Sequence, residues 1–598
     1  MEKIWLKQYP AGVPAEVRTD LYPSLVALLD DSFRKHRDLP ACKCMGTVIR
    51  YGQVDDDSRA LAAWLQSLGL VRGDRVAVML PNVPQYLVAV AAILRAGLVV
   101  VNVNPLYTPR ELEHQLKDSG ARAIVVFENM AHTLAQVLQQ VPTQHVLLAS
   151  MGDMLGRVKG ALVNHTVRRV KKLVPPYKLP GATWFNDAVA RGRRMTLAPA
   201  APGPDDIAVL QYTGGTTGVS KGAVLLHRNL VANLLQSQAW YKPALQRLPA
   251  GEQPVTVGAL PLYHVFGFNV IMMLGLHMGG CILLIPNGRD FTGLLKTLSR
   301  QRFHSFPAVN TLFNALAHHA HFDRVDWSHL RMSVGGGMAV QQATARLWLE
   351  KTGCPICEGY GLTETSPSAT CNPVDATGFS GNIGLPLPST ELMLLDDDGH
   401  EVPPGTPGEV AIRGPQVMAG YWQRPDETAK VMVAGGWFRS GDIGVVDERG
   451  FFRIVDRKKD MILVSGFNVY PNEVEDLVTQ MPGVQECAVV CLVLIGVTLA
   501  AYGLQGNVRS AVVLSAVKLL VLPAAVLVVA HWGFGLAGLP LAVVVMMASL
   551  PVGSNALIFA QRYETLPAEA TAAIVLSTVG FVFTASLWLW VLRWVSPW

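Results

Sequence analysis

The stretch QYTGGTTGVSKG, Gln211–Gly222, decides how this 598-residue chain is interpreted. Glycines let a backbone turn so that successive N–H groups point at one anion, and threonine hydroxyls add further donors. Lys221 brings a positive charge to the same place, which favours a phosphate-binding loop over a plain hairpin turn. It is not a Walker A loop, because Ser220 precedes the lysine and Gly222 follows it. The candidate phosphate-binding residues are Thr213, Gly214, Gly215, Thr216, Thr217, Gly218 and Lys221.

Upstream of this loop, apolar runs rich in β-branched residues alternate with helical patterns. Strands are predicted at Arg75–Leu80, Leu98–Val103 and Ala123–Phe127, and helices at Pro84–Ala96 and Glu111–Ser119. Strand, helix and strand repeats of this length are typical of βαβ units. We therefore expect an α/β fold in which layered β-sheets are flanked by helices.

Two more segments follow the loop: Tyr360–Thr365 (YGLTET) and Gly435–Lys459 (GGWFRSGDIGVVDERGFFRIVDRKK). With them, the sequence from about Trp5 to Val490 resembles the adenylate-forming, AMP-binding superfamily, and within it the bacterial long-chain fatty acyl-CoA synthetases. The resemblance implies that ATP and Mg²⁺ are used, with a long-chain fatty acid and CoA as substrates. The second segment departs from the family's commonest residues at Gly435, Phe438, Arg439 and Ser440.

The resemblance implies roles for single residues in the first segment. Tyr360 would lie beside adenine, and Thr363 would hydrogen-bond the α-phosphate. Glu364 would hold Mg²⁺ together with Thr213. The chemistry needs such a site, because carboxylate attack on a phosphate brings anions together and their charge must be offset.

In the second segment, Asp442 is expected to accept hydrogen bonds from the ribose and Arg457 to donate to the nucleotide. A surface salt bridge is the alternative for either residue. The same resemblance adds these nucleotide-side candidates: Gly335, Gly336, Gly337, Glu358, Gly359 and Gly361.

The acyl side is expected at two segments, Pro261–Phe268 (PLYHVFGF) and Val334–Met338 (VGGGM). Glycines in the second segment leave room for a chain to thread. His264 is either an ordinary buried histidine or a residue on the carboxylate side. Together with Lys221 and the pair in the YGLTET segment, it completes the predicted catalytic set of Lys221, His264, Thr363 and Glu364. No acidic residue lies in the first segment to pair a substrate ammonium, which favours a simple carboxylic acid.

The chain carries 50 Lys and Arg residues against 45 Asp and Glu residues. This near-neutral balance argues against a nucleic-acid binder. The first twenty residues lack an apolar signal-peptide core, so the eight cysteines are expected to be reduced in the cytosol. Cys354 and Cys357 have the spacing of a redox or zinc motif, but buried thiols are the simpler interpretation.

The segment Leu155–Pro180 is basic and partly apolar. It is either a solvated surface helix or a contact with anionic lipid headgroups, and the sequence leaves both open.

After Glu486 the composition changes, and only six charged residues follow: Arg509, Lys518, Arg562, Glu564, Glu569 and Arg593. Four spans of roughly the twenty residues that cross a bilayer are predicted: Cys487–Gln505, Ala511–Ala530, Leu536–Ala560 and Thr571–Leu592. The tail, Leu550–Glu564 above all, resembles the C-terminal end of auxin-efflux-carrier-type transporters. The expected domains are an adenylation domain (1–455), a hinge with a truncated C-terminal subdomain (456–490) and a transmembrane region (491–598).

The resemblance also implies a small C-terminal domain with a catalytic lysine, and that part is missing here. After Lys459 the only lysine is Lys518, which lies in an apolar run rather than beside a glycine. We therefore expect impaired ligation by an enzyme at the bacterial inner membrane, with its head facing the cytoplasm and membrane lipid as a partner. The sequence leaves open whether the chain forms a homodimer. The alternatives are a transporter fragment and a non-functional gene fusion whose head only binds nucleotide.

Overall fold

A computed structural model of the chain describes residues 3–213, 220–458, 462–464, 467–469 and 515–533, with isolated positions between 537 and 595. The chain divides into two compact units, Met1–Gln485 and Glu486–Trp598. The predicted loop residues Gly214, Gly215, Thr216, Thr217 and Gly218 lie outside the described residues.

The described strands are β1 (Pro40–Cys44), β2 (Thr47–Arg50), β3 (Arg75–Met79), β4 (Val99–Asn102), β5 (Ala123–Phe127), β6 (His145–Ala149), β7 (Thr183–Trp184), β8 (Ile207–Thr213), β9 (Lys221–Leu226), β10 (Val255–Gly258), β11 (Cys281–Leu284), β12 (Ser305–Ala308), β13 (Met332–Gly335), β14 (Ile356–Gly361), β15 (Ser368–Cys371), β16 (Leu385–Pro386), β17 (Glu391–Leu395), β18 (Gly408–Arg413), β19 (Gly420–Tyr421), β20 (Met432–Val433), β21 (Trp437–Val446), β22 (Phe452–Arg457), β23 (Ile462–Val464) and β24 (Phe467–Val469).

The described α-helices are α1 (Leu25–Lys35), α2 (Tyr51–Ser67), α3 (Pro84–Arg95), α4 (Pro109–Ser119), α5 (Ala131–Val137), α6 (Arg157–His165), α7 (Phe185–Gly192), α8 (His227–Leu245), α9 (Leu274–His277), α10 (Phe291–Leu298), α11 (Asn310–Ala317), α12 (Gln342–Thr352), α13 (Pro425–Val431) and α14 (Leu522–Val528). Shorter 3₁₀ and π-helical turns lie at Ile4–Gln8, Glu128–Met130, Leu138–Gln140, Thr166–Val170, Phe266–Met273, Phe322–Arg324, Thr363–Thr365, Val517–Val521 and Val529–Gly533.

The first unit is built on three main sheets. An eight-stranded sheet has the order β19, β9, β8, β4, β3, β5, β6, β7, and a nine-stranded sheet has the order β16, β15, β14, β13, β12, β10, β11, β1, β2. A five-stranded sheet joins β17, β18, β21 and β20, with β22 paired to β21. Strand β3 runs parallel to both β4 and β5, so the predicted βαβ units and the α/β fold class are confirmed.

Strand β3 shows why these residues form a central strand. Val76 and Val78 belong to one apolar core, whereas Ala77 and Met79 belong to another on the opposite face. Side chains alternate across a strand, so a strand covered on both faces is apolar at every position. That is why a continuous apolar run marked it in the sequence.

Helix α4 shows how local residues set the bounds of a helix. Thr108 accepts a hydrogen bond from the backbone N–H of Glu111 at 3.4 Å, and the Glu111 carboxylate accepts one from the Thr108 N–H at 2.8 Å. Pro109 follows in the first turn, and Gly120 ends the helix in the left-handed conformation (φ 61°). This is a capping box at one end and a glycine C-cap at the other.

The second unit is described only in part. Within its described residues, α14 is flanked by the π-helical turns, and the indole N–H of Trp588 donates to the Leu519 carbonyl at 2.7 Å. Among the described residues, no helix combines the length and apolar character that crossing a bilayer requires. The predicted span Cys487–Gln505 lies outside the described residues, and the other three spans lie only partly within them.

The described cysteines are free and buried: Cys42, Cys44, Cys281, Cys354, Cys357 and Cys371. Burial raises the pKa of the Cys354 and Cys357 thiols, so both stay protonated and are poor nucleophiles and metal ligands. The buried-thiol interpretation of this pair fits the structure.

Candidate active site

The candidate nucleotide loop joins two paired strands. Strands β8 and β9 are antiparallel, and their register places Thr213 opposite Lys221. The Thr213 hydroxyl donates to the Lys221 carbonyl at 3.5 Å. The topology is therefore a hairpin, and Thr213 and Lys221 pair with each other where the two strands meet the loop.

Lys221 is surrounded by residues from a distant part of the chain. Strand β19 pairs with β9 and places Tyr421 opposite Ala223. The Lys221 ammonium lies 5.1 Å from the centroid of the Tyr421 ring, a cation–π contact. It also forms an ion pair with Glu427, at the start of α13. Hydrogen bonds from Lys221 and Lys430 lower the pKa of Glu427 to about 2, so this carboxylate stays charged at neutral pH.

Tyr421 also contacts Glu364, whose carboxylate is buried in the turn Thr363–Thr365. The Tyr421 hydroxyl donates to Glu364 Oε1 at 2.7 Å, and the Met418 N–H donates to the Glu364 carbonyl at 2.8 Å. Burial raises the pKa of Glu364, while the Tyr421 hydrogen bond and the charge on Lys221 oppose that rise. Tyr421 therefore connects the predicted phosphate lysine to the predicted metal ligand.

A second group forms where β14 meets β21 and β22. The Tyr360 hydroxyl donates to Asp442 Oδ2 at 2.6 Å, and Arg457 Nε lies 3.5 Å from Asp442 Oδ1. Asp442 and Arg457 are register partners across the two strands. Burial, followed by the charge of Asp442, raises the pKa of Tyr360. The structure thus brings together the three residues expected beside adenine, ribose and nucleotide.

Gly361 is required by a close backbone approach between these two groups. A Cβ on Gly361 would lie 1.9 Å from the Pro367 carbonyl oxygen, far inside a van der Waals contact. Gly359 is less crowded, with its nearest neighbour, the Thr370 carbonyl oxygen, at 3.6 Å from the same ideal position. Glu358, just before it, is buried, and its carboxylate accepts from Ser380 at 3.5 Å.

The two predicted acyl-side segments meet. A Cβ on Gly336 would lie 3.1 Å from Phe266 Cε1 and 3.2 Å from the Gly359 carbonyl oxygen. Gly335 ends strand β13, and Gly337 has φ +81°, which disfavours a side chain. Gly336 therefore lies between Phe266 and the backbone of the nucleotide side.

His264 is exposed, and its Nδ1 accepts the Phe266 N–H at 3.3 Å. Its place on the carboxylate side stays a prediction. The surrounding protein still desolvates the imidazole enough to lower the pKa of His264, so the ring is neutral at pH 7.

A family model described as "AMP-binding enzyme" matches residues 29–422, which is more than half of the chain. The chain belongs to the AMP-binding enzymes. A long-chain-fatty-acid–CoA ligase from Escherichia coli O6:H1 (strain CFT073) is 55% identical over 491 residues, covering 82% of this chain and 87% of that protein. The ligase of the same name from Haemophilus influenzae is 49% identical over 482 residues, covering 80% and 85%.

The chain also resembles solved structures. The anthranilate CoA ligase AuaEII in complex with anthranoyl-AMP gives a TM-score of 0.70 at 26% identity, covering 80% of this chain and 87% of that one. ATP-bound MatB from Rhodopseudomonas palustris gives a TM-score of 0.67 at 30% identity, covering 79% and 86%. A second family model, described as "Membrane transport protein", matches residues 462–589.

For an AMP-binding enzyme, the donors near the loop suit the metal that ATP carries. Mg²⁺ prefers hard oxygen ligands and keeps several waters. Glu364 offers a carboxylate and Thr213 a hydroxyl, and no nitrogen or sulfur ligand is needed. The residues expected to hold the ion therefore have the right chemistry.

Tyr421 and Glu427 belong to this site but are not predicted from the sequence. They lie in the run GYWQRPDE, Gly420–Glu427, which ends in polar residues and matches none of the motifs described above. The contact between Lys221 and Glu427 spans 206 positions along the chain. Only the pairing of β9 with β19 reveals it.

Proposed function

We propose that this chain is an ATP-dependent long-chain fatty acid–CoA ligase. The observation that carries the proposal is the connection of Lys221 to Glu364 through Tyr421, beside the group of Tyr360, Asp442 and Arg457. A charged lysine and a carboxylate suited to magnesium stand beside hydrogen-bonding groups for a nucleoside. Relatives named long-chain-fatty-acid–CoA ligase at 55% and 49% identity support the substrate class.

The reaction has two steps. A carboxylate oxygen of the fatty acid attacks the α-phosphorus of ATP, the bond to pyrophosphate breaks, and an acyl-adenylate forms. The CoA thiolate then attacks the acyl carbonyl, and AMP leaves with the electron pair of the broken C–O bond. Both steps concentrate negative charge, so catalysis depends on preorganised positive groups and donors.

Each residue has a role in this proposal. Lys221 offsets phosphate charge, with Thr363 as a donor to the α-phosphate. Thr213 and Glu364 would hold Mg²⁺, which would offset charge on the triphosphate when bound. The remaining residues of the nucleotide loop and of the nucleoside side are assigned to nucleotide binding: Gly214, Gly215, Thr216, Thr217, Gly218, Gly335, Gly336, Gly337, Glu358, Gly359, Tyr360, Gly361, Asp442 and Arg457.

His264 is proposed to lie on the carboxylate side of the acyl site. Its exposure leaves the imidazole accessible to a substrate, and its lowered pKa leaves it neutral beside a carboxylate. Phe266, two residues on, lies against the Gly336 backbone and would line the acyl path.

We propose that the chain consists of an adenylation domain (1–455), a hinge with a truncated C-terminal subdomain (456–490) and a transmembrane region (491–598). We also propose that its rate of ligation is reduced. The chain has no lysine between Lys459 and Lys518, where the family's C-terminal lysine is expected. Removing one preorganised donor typically costs about 10²–10³ in rate. Losing the domain around it also removes the positioning of CoA, which lowers the rate further.

Two measurements test these proposals separately. Pyrophosphate release from ATP and oleate without CoA reports adenylation, and acyl-CoA formation after adding CoA reports ligation. We expect slow adenylation that Glu364→Gln abolishes. Absence of release above that of the Glu364→Gln variant would refute the ligase proposal. Full conversion at about 1–10³ s⁻¹, a usual range for enzymes, would refute only the impairment.

A second candidate function, a fragment of a membrane transporter, is favoured by the match to the membrane transport family over residues 462–589. In either case we propose that the tail attaches the chain to the bacterial inner membrane, with the enzyme head in the cytoplasm. Washing membranes at alkaline pH tests the attachment, since an integral protein stays in the pellet. Protease protection in inverted vesicles tests the side on which the head lies.

A further inference from the structure

Helix α6 and the turn that follows it expose large apolar side chains. Val158 is 85% exposed and Leu162 is 65% exposed on α6, Val170 is 67% exposed in the π-helical turn Thr166–Val170, and Leu173 is 53% exposed just beyond. We call residues 157–178 the α6 surface. Soluble proteins rarely keep so many large apolar side chains exposed within sixteen residues unless another surface covers them.

The same surface carries unpaired positive charge. Its exposed basic side chains have no ion pair or side-chain hydrogen bond recorded in the described part of the chain: Arg157, Arg169, Lys171, Lys172 and Lys178. The sequence contains no acidic residue from Arg157 to Lys178. Apolar and cationic groups therefore share one surface without acidic neighbours in that stretch.

The α6 surface is attached firmly to the domain beneath it. Helix α6 packs on the backbone of Gly152 so closely that a Cβ there would lie 2.2 Å from the Gly160 carbonyl oxygen. The Gly152 N–H donates to Asn164 Oδ1 at 2.7 Å. The Arg168 guanidinium donates to the Glu128 carboxylate at 2.9 Å. The exposed side chains therefore stand on a fixed helix rather than on a frayed end.

The nearby hairpin of β1 and β2 extends the same region. Lys159 donates from α6 to the Met45 carbonyl and, at 3.0 Å, to the Thr47 hydroxyl. Met45 is 46% exposed at that turn. Lys159 and Arg168 use their charges internally, so the unpaired basic groups named above are those available to a partner.

We propose that the α6 surface docks on an anionic lipid bilayer. Val158, Leu162 and Val170 would enter the headgroup boundary, and the unpaired basic side chains would contact anionic headgroups. Apolar side chains buried at the interface together with cations facing the lipid charge are the combination that holds an interfacial helix. A nucleic acid would match the charge but leave the apolar groups in water. The docking concerns the head itself and is separate from the tail's attachment.

The purpose of this docking follows from the proposed function. A long-chain fatty acid dissolves in the bilayer far better than in water, so an enzyme held flat on the lipid meets its substrate there. The contact itself does not depend on that function, because it rests on exposed residues outside the nucleotide site.

A local probe tests the contact in the full chain. The described cysteines are buried, so Leu162→Cys introduces an accessible thiol for a fluorophore, and labelling of the unsubstituted protein corrects for Cys487 and Cys491. Val71→Cys, at another exposed apolar position (62%), is the matched control. The proteins are incorporated into vesicles with spin-labelled acyl chains, containing either phosphatidylglycerol or phosphatidylcholine alone.

We expect the spin labels to quench the fluorophore at position 162 in phosphatidylglycerol vesicles and not at position 71. Because the readout is local, insertion of the tail alone cannot produce this difference. Equal quenching at both positions would overturn the docking. Equal quenching at position 162 in both lipids would overturn its anionic selectivity, and with it the proposal.

Charge-reversal substitutions test the contribution of the unpaired basic side chains to the docking. Each basic side chain near an anionic surface strengthens binding about fivefold. Arg169→Glu with Lys171→Glu should therefore reduce the quenching at position 162 strongly. The control pair, Lys242→Glu with Lys296→Glu, changes exposed lysines elsewhere and should leave it unchanged. Equal effects of the two pairs would point to net charge alone and would contradict a defined surface.

Discussion

Replacing Gly361 by alanine should damage both the stability of the protein and its nucleotide site. The added Cβ would lie 1.9 Å from the Pro367 carbonyl oxygen and 2.8 Å from the carbon of that carbonyl. Real Cβ atoms keep more than 3.0 Å from such atoms. The obstacle is backbone, so no side-chain rotation removes the clash, and either the end of β14 or the backbone at Pro367 must move by about an ångström.

The cost follows from that geometry. Overpacking a well-packed site typically costs about 1–3 kcal/mol, and a rigid backbone obstacle puts Gly361→Ala at or above the upper end of this range. Gly361 directly follows Tyr360, so the shift also pulls the Tyr360 hydroxyl away from Asp442. We therefore expect unfolding at lower urea concentration together with weaker ATP binding.

Urea unfolding followed by tryptophan fluorescence measures the first effect, and calorimetric titration with ATP measures the second. Gly378→Ala is the matched control, because nothing lies within 4 Å of the Cβ it would add and its φ is not positive. If Gly361→Ala changed the midpoint no more than Gly378→Ala, the close approach at Pro367 would be wrong.

Three further changes probe the site and its surroundings. Glu427→Gln should lower the Kd for ATP about two- to fivefold, because the ion pair that occupies the Lys221 ammonium is lost. Asp426→Asn removes the adjacent charge and should leave the Kd unchanged. Equal Kd values for the two variants would contradict this prediction. Tyr421→Phe removes a hydrogen bond to a buried carboxylate and should lower the free energy of unfolding by about 1.5–3 kcal/mol in urea titrations. Burial lowers the pKa of His227 to about 4, below the roughly 6.5 of an unfolded chain, so unfolded protein binds more protons between those values. Stability should thus be complete above pH 6.5 and fall by at most about 3 kcal/mol as the pH drops to 4, a slope that His227→Gln should reduce.

The bounds of strands and helices could be predicted where neighbouring residues determine them. The strand Ala123–Phe127 was predicted with its observed bounds, because a strand covered on both faces is apolar throughout. The predicted helix Pro84–Ala96 ends one residue earlier in the structure, at Arg95. Helix Glu111–Ser119 begins two residues earlier than predicted, at Pro109, because the capping box at Thr108 starts it.

The site could be predicted only as separate pieces. The resemblance named Tyr360, Asp442 and Arg457, but the Tyr360–Asp442 hydrogen bond joins residues 82 positions apart that lie in different sheets, and Asp442 meets Arg457 through the pairing of β21 with β22. The role of Tyr421 could not be predicted from its neighbours in sequence, because its ring contacts Lys221 on β9 and its hydroxyl contacts Glu364 in the turn Thr363–Thr365. Contacts between distant segments are fixed by the sheet order, which no local pattern encodes.

The two ends of the enzyme head meet at Trp5 and Phe452, whose rings lie 6.3 Å apart edge to face. Gly450 passes so close to Trp5 that a Cβ there would lie 2.8 Å from the Trp5 Cα atom. During synthesis on the ribosome, the turn Ile4–Gln8 therefore cannot complete its packing until Phe452 has been made. Roughly 35 residues later the apolar tail begins, about two to seven seconds of synthesis at 5–20 residues per second. Closure of the head and delivery of the nascent tail to the membrane thus follow each other within seconds.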